Sequence, residues 1–258
     1  MPHFLYRGYR IYYKECGQGE PLLLLHGNSA SSRMFDPVIG LYTRDYRVIT
    51  PDFLGYGKSD RMDELPENIW YEQALQAVHL LELLGCQDIN VIGTSGGAIT
   101  ALNMALERPD LIRAVVADSF MGKASREEFI GDLPTQRKMG KKQRGGQLFW
   151  EAQHGADWAR VVDWDTQAIL RHYQTGESYF QKELPSIKVP VLLTGSEEDE
   201  LIPGIGEALI AFSSKIPGCR VMLFPHGSHP AMASNAEEFA KEAKAFLRKT
   251  SIDPLNPS

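Results

Sequence analysis

Residues 91–105 read VIGTSGGAITALNMA. An apolar run of strand character ends at Gly93, a helical pattern starts within a few residues, and Ser95 stands between them at a corner crowded with glycine. A sharp strand-to-helix turn lifts such a serine clear of its neighbours. It also points the positive end of the helix at the hydroxyl, as the surroundings of a nucleophile require. A corner of this kind belongs in a chain that alternates strands with helices.

Working outward, the alternation holds. FLYRGYRIYYKEC (4–16) has a period of two with an Arg-Gly-Tyr turn inside it, and predicts two short antiparallel strands. PLLLLHG (21–27) is a continuous apolar run, the mark of a strand covered on both faces. YRVIT (46–50), INVIG (89–93), AVVAD (114–118), VPVLLTG (189–195) and CRVMLF (219–224) read as further strands. Between them, NIWYEQALQAVHLLELLG (68–85) carries apolar residues at 69, 75, 78, 81 and 84, close to helical spacing, and Gly85 closes it as a C-terminal cap. In the last helix, SNAEEFAKEAKAFLRK (234–249), Ser234 stands three residues before Glu237 with the spacing of a capping box. This order predicts an α/β fold: a mostly parallel central sheet with helices on both faces.

Residues 122–185 break the rhythm. They hold helical stretches, Trp150, Trp158 and Trp164, and no convincing strand, and are expected to be a helical insertion into a core made of 1–121 and 186–258. The tail TSIDPLNPS (250–258) has turn-formers without periodicity and is expected to be loose.

Composition narrows the function classes. The chain has 258 residues, 43% hydrophobic and 23% charged, with a net charge of −6, as in an ordinary globular domain and unlike a nucleic-acid binder. No apolar run approaches the ~18 residues of a membrane span, and MPHFLYRGYR lacks the apolar centre of a secretory signal, so a cytoplasmic setting is expected. Cys16, Cys86 and Cys219 are far apart, with no CxxC pair, and suggest packing rather than a disulfide framework or zinc site.

A serine hydroxyl is a weak nucleophile until a base takes its proton and a third group orients the base. His229, in LFPHGSHPAM after the last strand, and Asp199, in LLTGSEEDELIP after the strand before it, both follow strand ends, as Ser95 does. In an open parallel sheet the site forms at those ends. An oxyanion would be met by the backbone N–H of Gly96, next after the serine, and by that of Asn28 in HGNSASS. His26 reads as a brace for that loop and Asp52 as a hydrogen-bond acceptor within PDFLGYGKSD.

The elbow GTSGG, the segment HGNSASS, the loop PDFLGYGKSD, an acid after the penultimate strand and a histidine after the last together resemble the α/β-hydrolase superfamily. The resemblance covers residues 1–121 and 186–258 and implies that 122–185 is the cap which that family inserts above its site. It favours His229 over His226, because Gly227 supplies the usual glycine-x-histidine. For the acid, family spacing from the strand-ending glycine points to Glu198, while spacing to Pro203 and residue type favour Asp199; Asp118 is a third position used by some relatives. Serine at 95 disfavours the branches with an aspartate nucleophile, haloalkane dehalogenases and epoxide hydrolases, and Gly96 stands where the former need a tryptophan. The resemblance thus implies a serine hydrolase of a small or medium carboxylic ester, without cofactor or metal, whose partner is a small-molecule substrate. Alternatives on the same residues are a C–C hydrolase, a thioesterase or an aminopeptidase, and, from another class, a ligand-binding receptor. The cap run RKMGKKQR (137–144) holds five basic residues, read as a solvated face or an attraction for an anionic substrate. Oligomeric state is left open.

Overall fold

The computed structural model describes residues 2–252, the last two by their backbone alone. The chain opens with β1 (His3–Tyr6) and β2 (Tyr9–Cys16), an antiparallel hairpin in which Tyr6 faces Tyr9. Arg7 and Gly8 both have positive φ, 48° and 87°, matching the tight turn that suits the twist of a two-residue hairpin. β3 (Glu20–Leu25), β4 (Tyr46–Pro51), β5 (Ile89–Thr94), β6 (Ile112–Asp118), β7 (Val191–Ser196) and β8 (Arg220–Phe224) follow. The described residues form an eight-stranded sheet in the order β1-β2-β4-β3-β5-β6-β7-β8. β2 runs antiparallel to β4, and from β4 to β8 every pairing is parallel.

Two-sided burial explains the leucine run. Leu23 and Leu25 enter the cluster that also holds residues of α1 (Ile69–Leu83), α2 (Gly96–Glu107) and α6 (Ile205–Ser213). Leu22 and Leu24 point to the other face, where Phe239, Phe246 and Leu247 of α8 (Ala236–Ile252) pack. All four leucines are fully buried, and each contributes about 1.5–3 kcal/mol of apolar transfer. α1 begins at Asn68, whose side chain accepts the Tyr71 N–H, and ends before Gly85 in the left-handed region at φ 62°.

Between β6 and β7 lie α3 (Glu127–Lys142), α4 (Arg144–His154) and α5 (Trp158–Thr175), with a short 3-10 turn at Leu184–Ser186. Segment 122–185 contributes no strand.

Two expectations need correction. The capping box at Ser234 and Glu237 does not form: Ser234 closes a short helix, α7 (Ala231–Ser234), and its hydroxyl donates to the carbonyls of Ser228 and Pro230. Asn235 takes the capping position instead, its carbonyl accepting the Phe239 N–H at 2.8 Å. The short helix α7 ends at Ser234, and α8 starts two residues later at Ala236. In the tail, Thr250 to Ile252 continue α8 rather than leaving it, and 253–258 lie outside the described residues.

Candidate active site

Ser95 occupies the β5–α2 corner with φ 55° and ψ −123°, a conformation that non-glycine residues rarely adopt. It is held there by its own backbone: the Ser95 N–H donates to Asp118 O at 2.7 Å and its carbonyl accepts the Ala98 N–H at 2.9 Å. The neighbouring glycines leave the room this corner needs. A Cβ on Gly93 would lie 2.0 Å from Gly97 O, and one on Gly96 would lie 2.2 Å from Asn28 Oδ1. Ser95 is the residue immediately before α2, so the helix N-terminus and the Gly96 N–H converge beside its hydroxyl.

The histidine and the acid come together. His229 Nδ1 lies 2.8 Å from Asp199 Oδ2, with Asp199 buried and the His229 side chain 11% exposed. The other carboxylate oxygen, Oδ1, accepts the N–H groups of Leu201 and Ile202 at 3.0 and 2.9 Å, which fixes the carboxylate plane. The rival residues pair with each other instead: His226 Nδ1 sits 3.0 Å from Glu198 Oε1 on the surface, with the histidine 80% exposed. That contact holds the Glu198 carboxyl below its usual range. Asp118 is buried beneath the site and occupied by four donors, the hydroxyls of Thr94, Thr194 and Ser119 and the Met232 N–H. Burial pushes its pKa up despite them.

Ser95, His229, Gly96 and Asn28 line one cavity of about 630 Å³. Neither Ser95 Oγ nor His229 Nε2 has a hydrogen-bond partner among the described residues, so both atoms are uncommitted. The rest of the wall is mainly apolar, from Phe120 and Ile202 of the sheet side to Leu133 and Trp150 of the helices above. Trp158 stacks on Trp150 from outside the wall, and Arg160 covers Trp164, so of these tryptophans Trp150 reaches the cavity.

The loop after β3 is braced as its sequence suggests. His26 is buried, donates from Nδ1 to Gly27 O, and accepts the Phe53 N–H at Nε2, and burial lowers its pKa. Asp52 accepts the N–H groups of Ser32 and Lys58, each at 2.8 Å. The basic run divides: Arg137 turns into the cavity wall, Lys141 pairs with Asp163, and Lys138, Lys142 and Arg144 are exposed.

Sequence reasoning missed Asp165. It is fully buried on α5 and accepts from Asn28 Nδ2, the Ser29 N–H, the Tyr56 hydroxyl and Arg137. A signal was available: Asp165 falls on the buried stripe of α5 with Val161, Val162, Ala168 and Ile169, where an unpaired carboxylate would be costly. Among the described residues no cluster of three or more His, Cys, Asp or Glu could hold a metal ion, and no helix is long and apolar enough to cross a membrane.

An eight-stranded sheet of this order, with a strained serine at the β5–α2 corner and a His–Asp pair beyond β7 and β8, is the architecture of the α/β hydrolases. The alpha/beta hydrolase family model matches residues 22–242, most of the chain, and the protein belongs to that family. Among its relatives, the 2-hydroxy-6-oxo-6-(2'-aminophenyl)hexa-2,4-dienoic acid hydrolase of Metapseudomonas resinovorans is 26% identical, over 94% of this chain and 89% of its own. Serine hydrolase BPHL of Mus musculus is 28% identical over 93% of this chain and 84% of its own. Among solved structures, an esterase from Exiguobacterium antarcticum matches with a TM-score of 0.72 at 21% identity, covering 93% of this chain and 96% of that one, a likeness of fold. The protein is an enzyme of the α/β-hydrolase kind.

Proposed function

We propose that the protein is a serine hydrolase of small or medium carboxylic esters, working through an acyl-enzyme, with Ser95 as nucleophile, His229 as base and Asp199 as its orienting acid. The observation that carries this reading is the 2.8 Å contact of buried Asp199 with His229, which lines the same cavity as Ser95 at its strained corner. His229 Nε2 takes the Ser95 proton as Oγ attacks the ester carbonyl, and Asp199 stabilises the imidazolium. The N–H groups of Asn28 and Gly96 receive the oxyanion, with the α2 N-terminus behind them. His229 returns the proton to the leaving alcohol, and water repeats the cycle on the acyl group. Segment 122–185 acts as a cap, since its helices supply the apolar wall opposite the strand ends.

Hydrolysis of a carbon–carbon bond beside a ketone on the same residues is the second reading. It is favoured by Arg137 in the cavity wall and by the relative named as a hydrolase of an oxo-dienoic acid.

Labelling with a fluorophosphonate, followed by peptide mapping, tests nucleophile activation without a guess at substrate. The expected adduct is on Ser95. Turnover of p-nitrophenyl acetate and butyrate should vanish in Ser95→Ala; full activity in that variant would remove the proposal. A panel of thioesters, aminoacyl naphthylamides and vinylogous diketones separates ester cleavage from its alternatives.

A further inference from the structure

Ser29 has φ 51°, in the left-handed region, and follows Asn28 directly. Every polar atom of this residue is held from segment 122–185. Its N–H donates to Asp165 Oδ1 at 3.0 Å, and its carbonyl meets His154 Nε2 at 3.0 Å. Its hydroxyl receives Trp150 Nε1 at 3.2 Å and the Arg137 guanidinium. Two residues on, Gln153 grips the Ser31 N–H and hydroxyl at 2.9 and 2.7 Å.

Asn28 is clamped at both ends of its amide. Nδ2 donates to Asp165 Oδ1 at 2.9 Å, and Oδ1 accepts from Trp70 Nε1 of α1 at 3.1 Å. Asp165 thus spends one oxygen entirely on the body below, on Asn28, Ser29 and the Tyr56 hydroxyl at 2.8 Å, while the other faces Arg137 at 3.3 Å. A non-glycine residue persists in this backbone region, at a cost on the order of 1 kcal/mol or more, only where its surroundings over-determine it. Here the over-determining groups come from α3, α4 and α5.

We propose that Asp165 is a positioning residue of the oxyanion hole, and that the three helices complete the hole by holding Asn28 and Ser29 in the conformation that aims the Asn28 N–H at the reacting carbonyl. This rests on the reading of Asn28 as an oxyanion donor. The consequence is that the helices above the cavity do more than select substrate: displacing them releases Ser29 from its strained conformation and turns one donor away, so that hydrolysis requires them in place.

Transition-state and ground-state ligands separate this role from plain structural support. Wild type, Asp165→Ala and Asp165→Asn of the full chain would be assayed with p-nitrophenyl butyrate. Inhibition by butylboronic acid, whose tetrahedral adduct on Ser95 places an oxygen in the hole, would be compared with inhibition by butyrate. Since removal of an oxyanion donor costs roughly 10²–10³ in kcat, a misaimed one in Asp165→Ala should cost about 30-fold or more. KM and butyrate affinity should stay within about threefold, and boronate affinity should fall in step with kcat. Asp165→Asn, whose carbonyl oxygen can keep the three bonds to Asn28, Ser29 and Tyr56, should restore kcat to within about fivefold of wild type. An Asp165→Ala enzyme with kcat within threefold of wild type, or one that loses butyrate and boronate equally, overturns the proposal. Should that variant not fold, Asn28→Ala decides, because it removes the clamped amide and leaves the N–H in place: an unchanged kcat overturns the proposal, and a tenfold fall at constant KM supports it. If wild type takes no fluorophosphonate at Ser95, the reading of the site itself fails. If it is labelled and active while these variants match it, only the role of Asp165 fails.

Discussion

His229 Nδ1 stands 2.8 Å from Asp199 Oδ2, and the opposite oxygen of the same carboxylate is committed to two backbone N–H groups. This asymmetry makes the amide variant informative. In Asp199→Asn the carbonyl oxygen keeps the bonds to Leu201 and Ile202, so the NH2 group must face His229 Nδ1, which then has to accept and leave its proton on Nε2. The nitrogen that should take the serine proton is thereby blocked. The expected result is a loss of about 10³–10⁴ in kcat with little change in melting temperature. Steady-state kinetics beside a thermal melt check it, and a kcat within tenfold of wild type contradicts it.

Gly93 faces the first turn of α2 across the elbow. A methyl group there would lie 2.0 Å from Gly97 O, which belongs to backbone and cannot swing aside. Gly93→Ala should lose roughly 3 kcal/mol of stability as β5 and α2 are pushed apart. For a chain of this size that is a fall of roughly 6–12 °C in Tm, measurable by calorimetry. An unshifted transition would show that the corner relaxes without cost.

Arg61 ties the loop after β4 to the start of α5. Its guanidinium bonds both oxygens of Asp157 at 3.0 and 3.1 Å, and it also reaches the carbonyls of Ser59, Gly57 and His154. A lysine ammonium, a point charge on a flexible stem, cannot reproduce this fork. Arg61→Lys should therefore destabilise by about 1–2 kcal/mol although the charge is kept, a value already reduced for the partly exposed pair. Urea unfolding checks it, and equal midpoints for the two proteins would contradict it.

Acid should loosen the same junction through His154. Burial holds its pKa at about 4, against an ordinary value of 6.5. Nδ1 accepts the Gly57 N–H at 3.0 Å, so the buried ring is neutral with its proton on Nε2, toward Ser29 O. Between pH 6.5 and about 4 the unfolded chain takes up a proton that the folded one refuses, so stability falls as pH falls. The contribution of this one group is up to about 3 kcal/mol, spread over that window. His26, lowered by burial as well, acts in the same direction. Asp157, held at about 2 chiefly by its hydrogen bonds from Arg61, adds stability that is lost only as pH drops below its ordinary 3.8. Unfolding free energies at pH 7, 6 and 5 should decline for wild type and decline less steeply for His154→Gln. Parallel slopes would remove His154 as the cause.

Much of this molecule was legible before any coordinate. The run Leu22 to Leu25 announces a strand covered on both faces because alternate side chains must point to opposite sides of a sheet. The corner at Ser95 announces itself because glycines at 93, 96 and 97 clear the space that a strand needs to turn at once into a helix. Ser234 misled for a related reason: its capping spacing is correct, but Ser234 ends the short helix α7, and the first bond of α8 runs to the Asn235 carbonyl instead. Loop spacing points to Glu198 from the strand-ending glycine and to Asp199 from Pro203, because neighbouring positions in a loop differ only in which way the chain faces; residue type favours Asp199.

Strand period, helix caps and glycine corners act within a few residues, and so the amino-acid order alone settles the alternation of strands and helices, the strained serine and the rank of the residues beyond each strand. Convergence acts at long range. Asp199 meets His229 across 30 positions and Asp165 meets Asn28 across 137, and each meeting is the sum of many packed placements that no local pattern encodes. Packing therefore decided which acid faces the imidazole, and it alone brought a buried carboxylate of α5 down onto the loop after β3.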